Sequence, residues 1–243
     1  MTNNISHIPL PGLYNLRDIG GILNKDGKIT RYGQFFRSDC PKVFNNEVAS
    51  FFESANLRLV IDLRGEKECK ELPCALKGKG DWKYINIPVT DFTDVREILS
   101  GLSGIDKKFP LSYLYRLSLD SSASASKMIL EEMSQAEGAV LFHCMHGKDR
   151  TGITAAFLLM LAGVPDDEIL ADYSVSMAYM RPVLYPIIRR LGSEYAPLFR
   201  SDYENMEIYL DAFREKFGDV NSYCKNIGLS SETKRLLRNK LLE

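Results

Sequence analysis

Residues 139–161 decide the reading of this chain. Ala139-Val140-Leu141-Phe142 runs into His143-Cys144-Met145-His146-Gly147-Lys148-Asp149-Arg150-Thr151-Gly152, and Ile153 to Leu161 follows as an almost wholly apolar run. The first four residues read as a short buried strand and the last stretch as a buried helix. Between Cys144 and Arg150 the chain has to turn from one to the other. A tight loop there points successive backbone N–H groups inward, and with the helix N-terminus they form an anion site. Gly147 allows close backbone approach and unusual φ. Arg150 adds a planar, permanently charged fork suited to two phosphate oxygens. A phosphate is the natural ligand, cradled by Met145, His146, Gly147, Lys148, Asp149 and Arg150.

The same cradle stabilises a thiolate at Cys144. A thiolate can attack phosphorus in line, opposite the leaving oxygen, while the cradle stabilises charge on the equatorial oxygens. The Thr151 hydroxyl can donate toward the sulfur and help it leave in a second step. His143, at the strand end, is placed to orient the loop. A buried, inert thiol is the ordinary reading of an isolated cysteine, and the polar, charged loop argues against it. Rhodanese-like sulfur transfer also uses a Cys in an anion cradle, but Arg150-Thr151-Gly152 opening the helix speaks against that class. A module that only reads phosphate would have lost the nucleophile or the Arg, and both are present.

Outward from the loop, residues 10–39 read as short strands, with Asn24-Lys25-Asp26-Gly27 as a hairpin turn. Residues 45–56 read as a helix capped by Asn45 or Asn46. Leu57 to Leu63 has the pattern of a strand buried on both faces, and Trp82 to Val89 reads as another strand. Residues 94–119 look helical in pieces, broken near Gly101, Gly104 and Pro110. Lys127 to Gln135 reads as an amphipathic helix. Residues 166–243 read as mostly helical, with breaks at Pro182, Pro186, Gly192, Pro197, Gly218 and Gly228. Strands interleaved with helices give an α/β expectation: a central parallel-cored sheet flanked by helices, a helical C-terminal part, and one domain over 1–243. Ligands of such sheets bind at the carboxyl ends of strands, where the Cys144 loop falls.

Composition bounds the partners. The chain has 243 residues, 45% of them hydrophobic, and a net charge of −1, which permits a sizeable core and argues against a dedicated nucleic-acid binder. Five scattered cysteines make no disulfide framework. Met1 to Leu10 lacks the apolar stretch of a signal peptide, and no run is long enough to cross a membrane. The expectation is a cytoplasmic protein with no stable membrane insertion, export being the alternative; the oligomeric state is left open. The three histidines, His7, His143 and His146, have no metal spacing, so neither a metal nor another cofactor is expected.

His143 through Gly152 resembles the signature of cysteine-dependent protein tyrosine and dual-specificity phosphatases. Its Gly-Lys-Asp-Arg-Thr-Gly version looks like the bacterial tyrosine/serine phosphatase family that includes the mycobacterial tyrosine phosphatase B group. Asn15-Leu16-Arg17-Asp18-Ile19-Gly20-Gly21 with Phe36-Arg37-Ser38, Ile61-Asp62-Leu63-Arg64 with Glu66 and Glu68, and the end from Phe213 to Leu242 are similar to that family, so the resemblance covers most of the chain. It implies a tyrosine-phosphatase-like fold and hydrolysis of phosphotyrosine in proteins, extending to phosphoserine and phosphothreonine, through a cysteinyl-phosphate. The alternative is a phosphoinositide or inositol phosphate phosphatase using the same loop.

The leaving oxygen needs a proton. Many relatives carry the donor Asp on a mobile loop, which corresponds here to Asp91 or Asp94; the plainer role there is a helix cap at Asp91 or Thr93. In the family resembled, the Asp at position 149 is thought to serve instead, the plainer role being a salt bridge that stiffens the loop. Lys148 reads equally as a contact to a second phosphate or as a solvated rim Lys, and His146 as a substrate contact or an exposed loop residue. Arg17 with Asp18, and Asp62 with Arg64, read first as structural ion pairs, substrate contacts being the alternative. Residues 173–209, rich in Tyr, Met and Arg, read first as helical core; the resemblance raises a helical lid over the site.

Overall fold

The computed structural model describes residues 6–89 and 109–242. Asp91 and Asp94 lie outside the described residues, as does the expected helical stretch before Pro110. Six strands form one sheet: β1 (Ser6–His7), β2 (Arg17–Asp18), β3 (Phe35–Ser38), β4 (Leu57–Asp62), β5 (Lys83–Asn86) and β6 (Ala139–His143), in the order β1-β2-β3-β6-β4-β5. β3, β6, β4 and β5 run parallel, and β1 and β2 add an antiparallel edge. The parallel core is therefore as expected.

Period-two burial explains this sheet. On β6, Val140 and Phe142 enter the larger core, while Ala139 and Leu141 enter the smaller one on the other face. On β4, Leu59 and Ile61 face the larger core and Leu57 and Val60 the smaller. Leu57 and Leu59 would share a face in a regular strand; a bulge between them restores the alternation. The smaller core is covered by α1 (Asn46–Ser54), whose N-cap Asn45 accepts from the Val48 N–H at 3.0 Å. α2 (Glu66–Glu71) follows β4.

The larger core is built around α5 (Asp149–Leu161), which follows β6; every residue from Arg150 to Leu159 is buried. α3 (Pro110–Ser121) and α4 (Ala123–Gln135) precede β6, and α6 (Asp166–Ser174) and α7 (Ser176–Leu191) follow α5. After a 3-10 turn come α8 (Ala196–Phe199), α9 (Tyr203–Phe217), α10 (Val220–Asn226) and α11 (Ser231–Leu242). α9 packs on α3, and α11 on α4 and α5. The Phe157 ring stacks on Tyr223 at 4.8 Å and meets Phe213 edge-on at 5.5 Å. Burying such side chains stabilises by roughly 1.5–3 kcal/mol each.

Two local readings need correction. Residues 10–39 hold only the short β2 and β3; the Asn24 turn forms, with Gly27 at φ 78°, but is flanked by a single bridge, Leu23 to Ile29. The Asn24 N–H closes the turn on the Lys28 carbonyl at 2.8 Å, while the Lys25 N–H donates to the Gly163 carbonyl at 3.0 Å and the Asn24 side-chain Nδ2 to the Ala162 carbonyl at 2.9 Å. Pro182 and Pro186 do not end a helix but lie inside α7. The carbonyls they orphan, on Ala178 and Pro182, belong to exposed residues where solvent can satisfy them.

Candidate active site

β6 ends at His143, and α5 begins at Asp149, two residues beyond Gly147. Gly147 takes φ 66°, and a Cβ there would come within 2.4 Å of the Ser38 backbone. Glycine is therefore required both by conformation and by the close approach of the β3 end. α5 has no side chain capping its N-terminus. Among the described residues, the N–H groups of residues 145–150 donate to no protein acceptor. Amides left unpaired at a buried helix start are the complement of an anion. Cys144, only 3% exposed, sits at the head of this loop.

Arg150 is buried and held end-on by Glu68 of α2. Arg150 Nη2 donates to Oε1 at 2.7 Å and Nη1 to Oε2 at 2.5 Å. A guanidinium has five N–H donors, so this fork leaves the Nε edge for phosphate. Glu68 is fixed in turn by the Gly65 N–H, 3.0 Å from Oε2. Burial opposes the charge on Arg150, but the Glu68 hydrogen bond and the negative groups around it together outweigh burial and hold the group above its ordinary range.

Beneath the loop lies a buried ionic network. Arg17 Nε donates to Asp172 Oδ1 at 2.8 Å, and Arg37 Nη1 pairs with Asp172 Oδ2. Arg37 Nη2 reaches the Gly147 carbonyl at 2.9 Å, and Asn15 Nδ2 lies 3.0 Å from the carbonyls of His146 and Gly147. Burial and the neighbouring Arg17 lower Arg37 to about 10. Burial pushes Asp172 up, but the two arginines prevail and hold it below the usual carboxylate range. Asp39, at the end of β3, accepts from the Tyr14 and Asn15 N–H groups at 2.9 Å, and burial raises it.

His143 is fully buried, with Nδ1 3.3 Å from the Cys144 carbonyl and Nε2 3.8 Å from Asp62 Oδ2. Burial disfavours its charge, yet Asp62 and the Cys74 sulfur hold it above its ordinary range. Asp62 also forms the expected pair with Arg64, at 2.7 Å. Arg17 is an ion-pair residue as well, but its partner is Asp172: Asp18 accepts instead from the Gly20 and Gly33 N–H groups.

Asp149 opens α5, and its Oδ1 accepts from Lys148 Nζ at 2.6 Å and from the Tyr115 hydroxyl. Tyr115 and Tyr173 bring their hydroxyls to 2.7 Å. Lys148 is not a solvated rim residue. It is 1% exposed, and Nζ also donates to the Arg200 carbonyl at 3.1 Å. His146 is half-buried, and burial followed by the Lys148 charge lowers it to about 4, so it is neutral near pH 7. Among the described residues, buried Thr151 Oγ1 has no hydrogen-bond partner. The loop residues expected from sequence thus converge on one place. Sequence reading gave no role to Glu68, although it lay within a noted motif, and did not single out Asp172 or Tyr115.

The sequence model of the tyrosine phosphatase family matches residues 8–243. A tyrosine-protein phosphatase of Nostoc commune is 30% identical over 76% of this chain and 66% of its own length. The triple specificity protein phosphatase PtpB of Mycobacterium tuberculosis is 32% identical over 42% of this chain and 44% of its own. The chain thus matches less than two thirds of the length of either relative. A crystal structure of P. aeruginosa TpbA in complex with pTyr, its protein a Cys-to-Ser variant, is a distant likeness, at 14% identity and a TM-score of 0.47 over 94% of this chain and 99% of that one. With a family match that runs from just after β1 to the C-terminal helix and takes in the whole Cys144 loop, this chain belongs to the tyrosine phosphatase family.

Proposed function

We propose that this chain hydrolyses phosphate monoesters in two steps through a phosphocysteine at Cys144. The observation that carries the reading is the ring of unpartnered N–H groups at residues 145–150, closed by the buried Arg150 fork. Cys144 Sγ attacks phosphorus; the S–P bond forms as the ester P–O bond breaks, and Asp149 gives its proton to the leaving oxygen. Water then attacks phosphorus and passes a proton to Asp149. The S–P bond breaks, and the unpartnered Thr151 hydroxyl donates to the departing sulfur.

Phosphotyrosine in proteins is the substrate on this reading, supported by the relative named a tyrosine-protein phosphatase. The relative named for triple specificity supports a range extending to phosphoserine and phosphothreonine. A phosphoinositide preference draws less support, because Lys148 already gives two hydrogen bonds within the protein. Residues 173–209 act as a lid. Its support is the Lys148–Arg200 contact, which joins the loop to this helical segment, and the half-buried apolar side chains of α7. Among the described residues no helix is long and apolar enough to cross a membrane. Five free cysteines support a reducing compartment, the cytoplasm.

The test is steady-state hydrolysis of para-nitrophenyl phosphate with EDTA present, by wild type and by Cys144→Ser. Turnover that survives EDTA and vanishes in the variant, with radiolabelled phosphate trapped on Cys144 after an acid quench, supports the mechanism. No turnover on aryl, peptide or inositol phosphates overturns it. Rates on a phosphotyrosine peptide and on inositol phospholipids then rank the two substrate classes.

A further inference from the structure

Asp149 has two oxygens in different situations. Oδ1 accepts from both Lys148 Nζ and the Tyr115 hydroxyl, whereas Oδ2 has no partner among the described residues. Tyr115 gives its single hydrogen to Asp149, so in the 2.7 Å contact with Tyr173 it is Tyr173 that donates. The two hydroxyls form a directed chain that ends on Oδ1. Both tyrosines are buried, at 0% and 1% exposure, and the Tyr115 ring meets those of Tyr173 and Tyr209 edge-on at 6.2 Å. The chain is therefore held by packing between α3, α6 and α9, outside the Cys144 loop. Burial, with the Asp149 charge next, raises both hydroxyls well above their ordinary range, so they remain donors across the neutral region.

An oxygen that already accepts two hydrogen bonds is a poor place for a proton, and a carboxyl pinned through that oxygen cannot rotate freely. We propose that Tyr115 and Tyr173 are positioning residues for proton transfer, fixing Oδ1 of Asp149 so that the proton is delivered and recovered at Oδ2. The inference rests on Asp149 being the acid of the proposed mechanism. In the first step the Oδ2–H bond breaks as an O–H bond forms on the leaving phenol; in the second, Oδ2 takes a proton from the attacking water. Ring packing without the hydroxyls would hold α3 against α6 equally well, so the proposal concerns the two O–H groups alone.

The experiment compares kcat/KM on para-nitrophenyl phosphate, whose leaving group needs little help, with that on phenyl phosphate, whose leaving group needs a proton. Asp149→Asn should lose about a hundredfold or more on phenyl phosphate and far less on the nitrophenyl ester. Tyr115→Phe keeps the ring, and should lose about tenfold on phenyl phosphate with little change on the nitrophenyl ester. Tyr173→Phe, one bond further away, should shift the same ratio less. Tyr115→Phe added to Asp149→Asn should cost nothing more on phenyl phosphate, because both act through one proton. The proposal is overturned if Asp149→Asn shows this leaving-group dependence while both tyrosine variants match wild type, or lose equally on the two esters. If Asp149→Asn shows no such dependence, the acid assignment itself fails and the proposal falls with it.

Discussion

α5 and α7 are of similar length but are held in opposite ways. From Arg150 to Leu159 every residue of α5 is buried, whereas on α7 only Ser176, Met180 and Leu184 are. The loop before α5 is fixed from several sides, by Glu68, Arg37 and Asn15. α7 carries two interior prolines, ends at Gly192 with φ 114°, and exposes Tyr185 at 41%. The lesson is a division of labour. Groups that must hold an anion and a nucleophile are constrained by buried charge. The segment proposed to cover them is left with few apolar contacts, which is where low-stability, mobile elements are drawn from.

The largest effect expected is on the rigid side: Cys144→Ser should lose about ten-thousand-fold or more in kcat with its melting temperature intact. Asp172→Asn comes next, because it leaves Arg17 and Arg37 buried without their counter-charge. Denaturant unfolding should show a loss of about 3–5 kcal/mol, and turnover should fall as Arg37 no longer steadies the Gly147 carbonyl. The pH sign follows. Asp172 is held below its unfolded value, so its contribution is present above about pH 4 and lost as pH falls through the folded value. Wild-type melting temperature should drop on that acid side, and the variant's should drop less.

Glu68→Gln should lower kcat/KM about tenfold by loosening the Arg150 fork, and should cost about 3 kcal/mol on unfolding because it leaves one buried arginine, rather than two, without its counter-charge. The smallest global effect belongs to α7. Pro182→Ala with Pro186→Ala restores two helical N–H donors and should slow amide exchange over 183–190 by about tenfold or more. The melting temperature should not move. A clear rise would mean that α7 belongs to the cooperative core, and the comparison with α5 would fail.

What was legible in the sequence was local. The strand–loop–helix around Cys144 follows from an apolar run, a glycine and an apolar helix in immediate succession. The cap at Asn45 and the breaks at Gly192, Gly218 and Gly228 are likewise set by neighbours. What was not legible depends on topology. Glu68 meets Arg150 across 82 positions, Arg17 meets Asp172 across 155, and Tyr115 meets Asp149 across 34. No spacing rule pairs such residues, so sequence neighbourhood gives Arg17 to Asp18 while the fold gives it to Asp172. The strands expected over 10–39 stay short: Asn24 N–H closes the turn on the Lys28 carbonyl, but the Lys25 N–H and the Asn24 side-chain amide dock on the residues just after α5 rather than extending a ladder.

The Arg17–Asp172 pair also sets an order of events during synthesis. A ribosome adds roughly 5–20 residues per second, so the arginines near the beginning wait many seconds for the carboxylate that allows them to be buried. Until residue 172 has emerged, the parallel strands can be complete while the floor beneath Gly147 still carries two uncompensated positive charges. The nascent chain can therefore complete its sheet before the floor of its Cys144 loop, an order that synthesis imposes and refolding of the full-length chain, with Asp172 present from the start, does not.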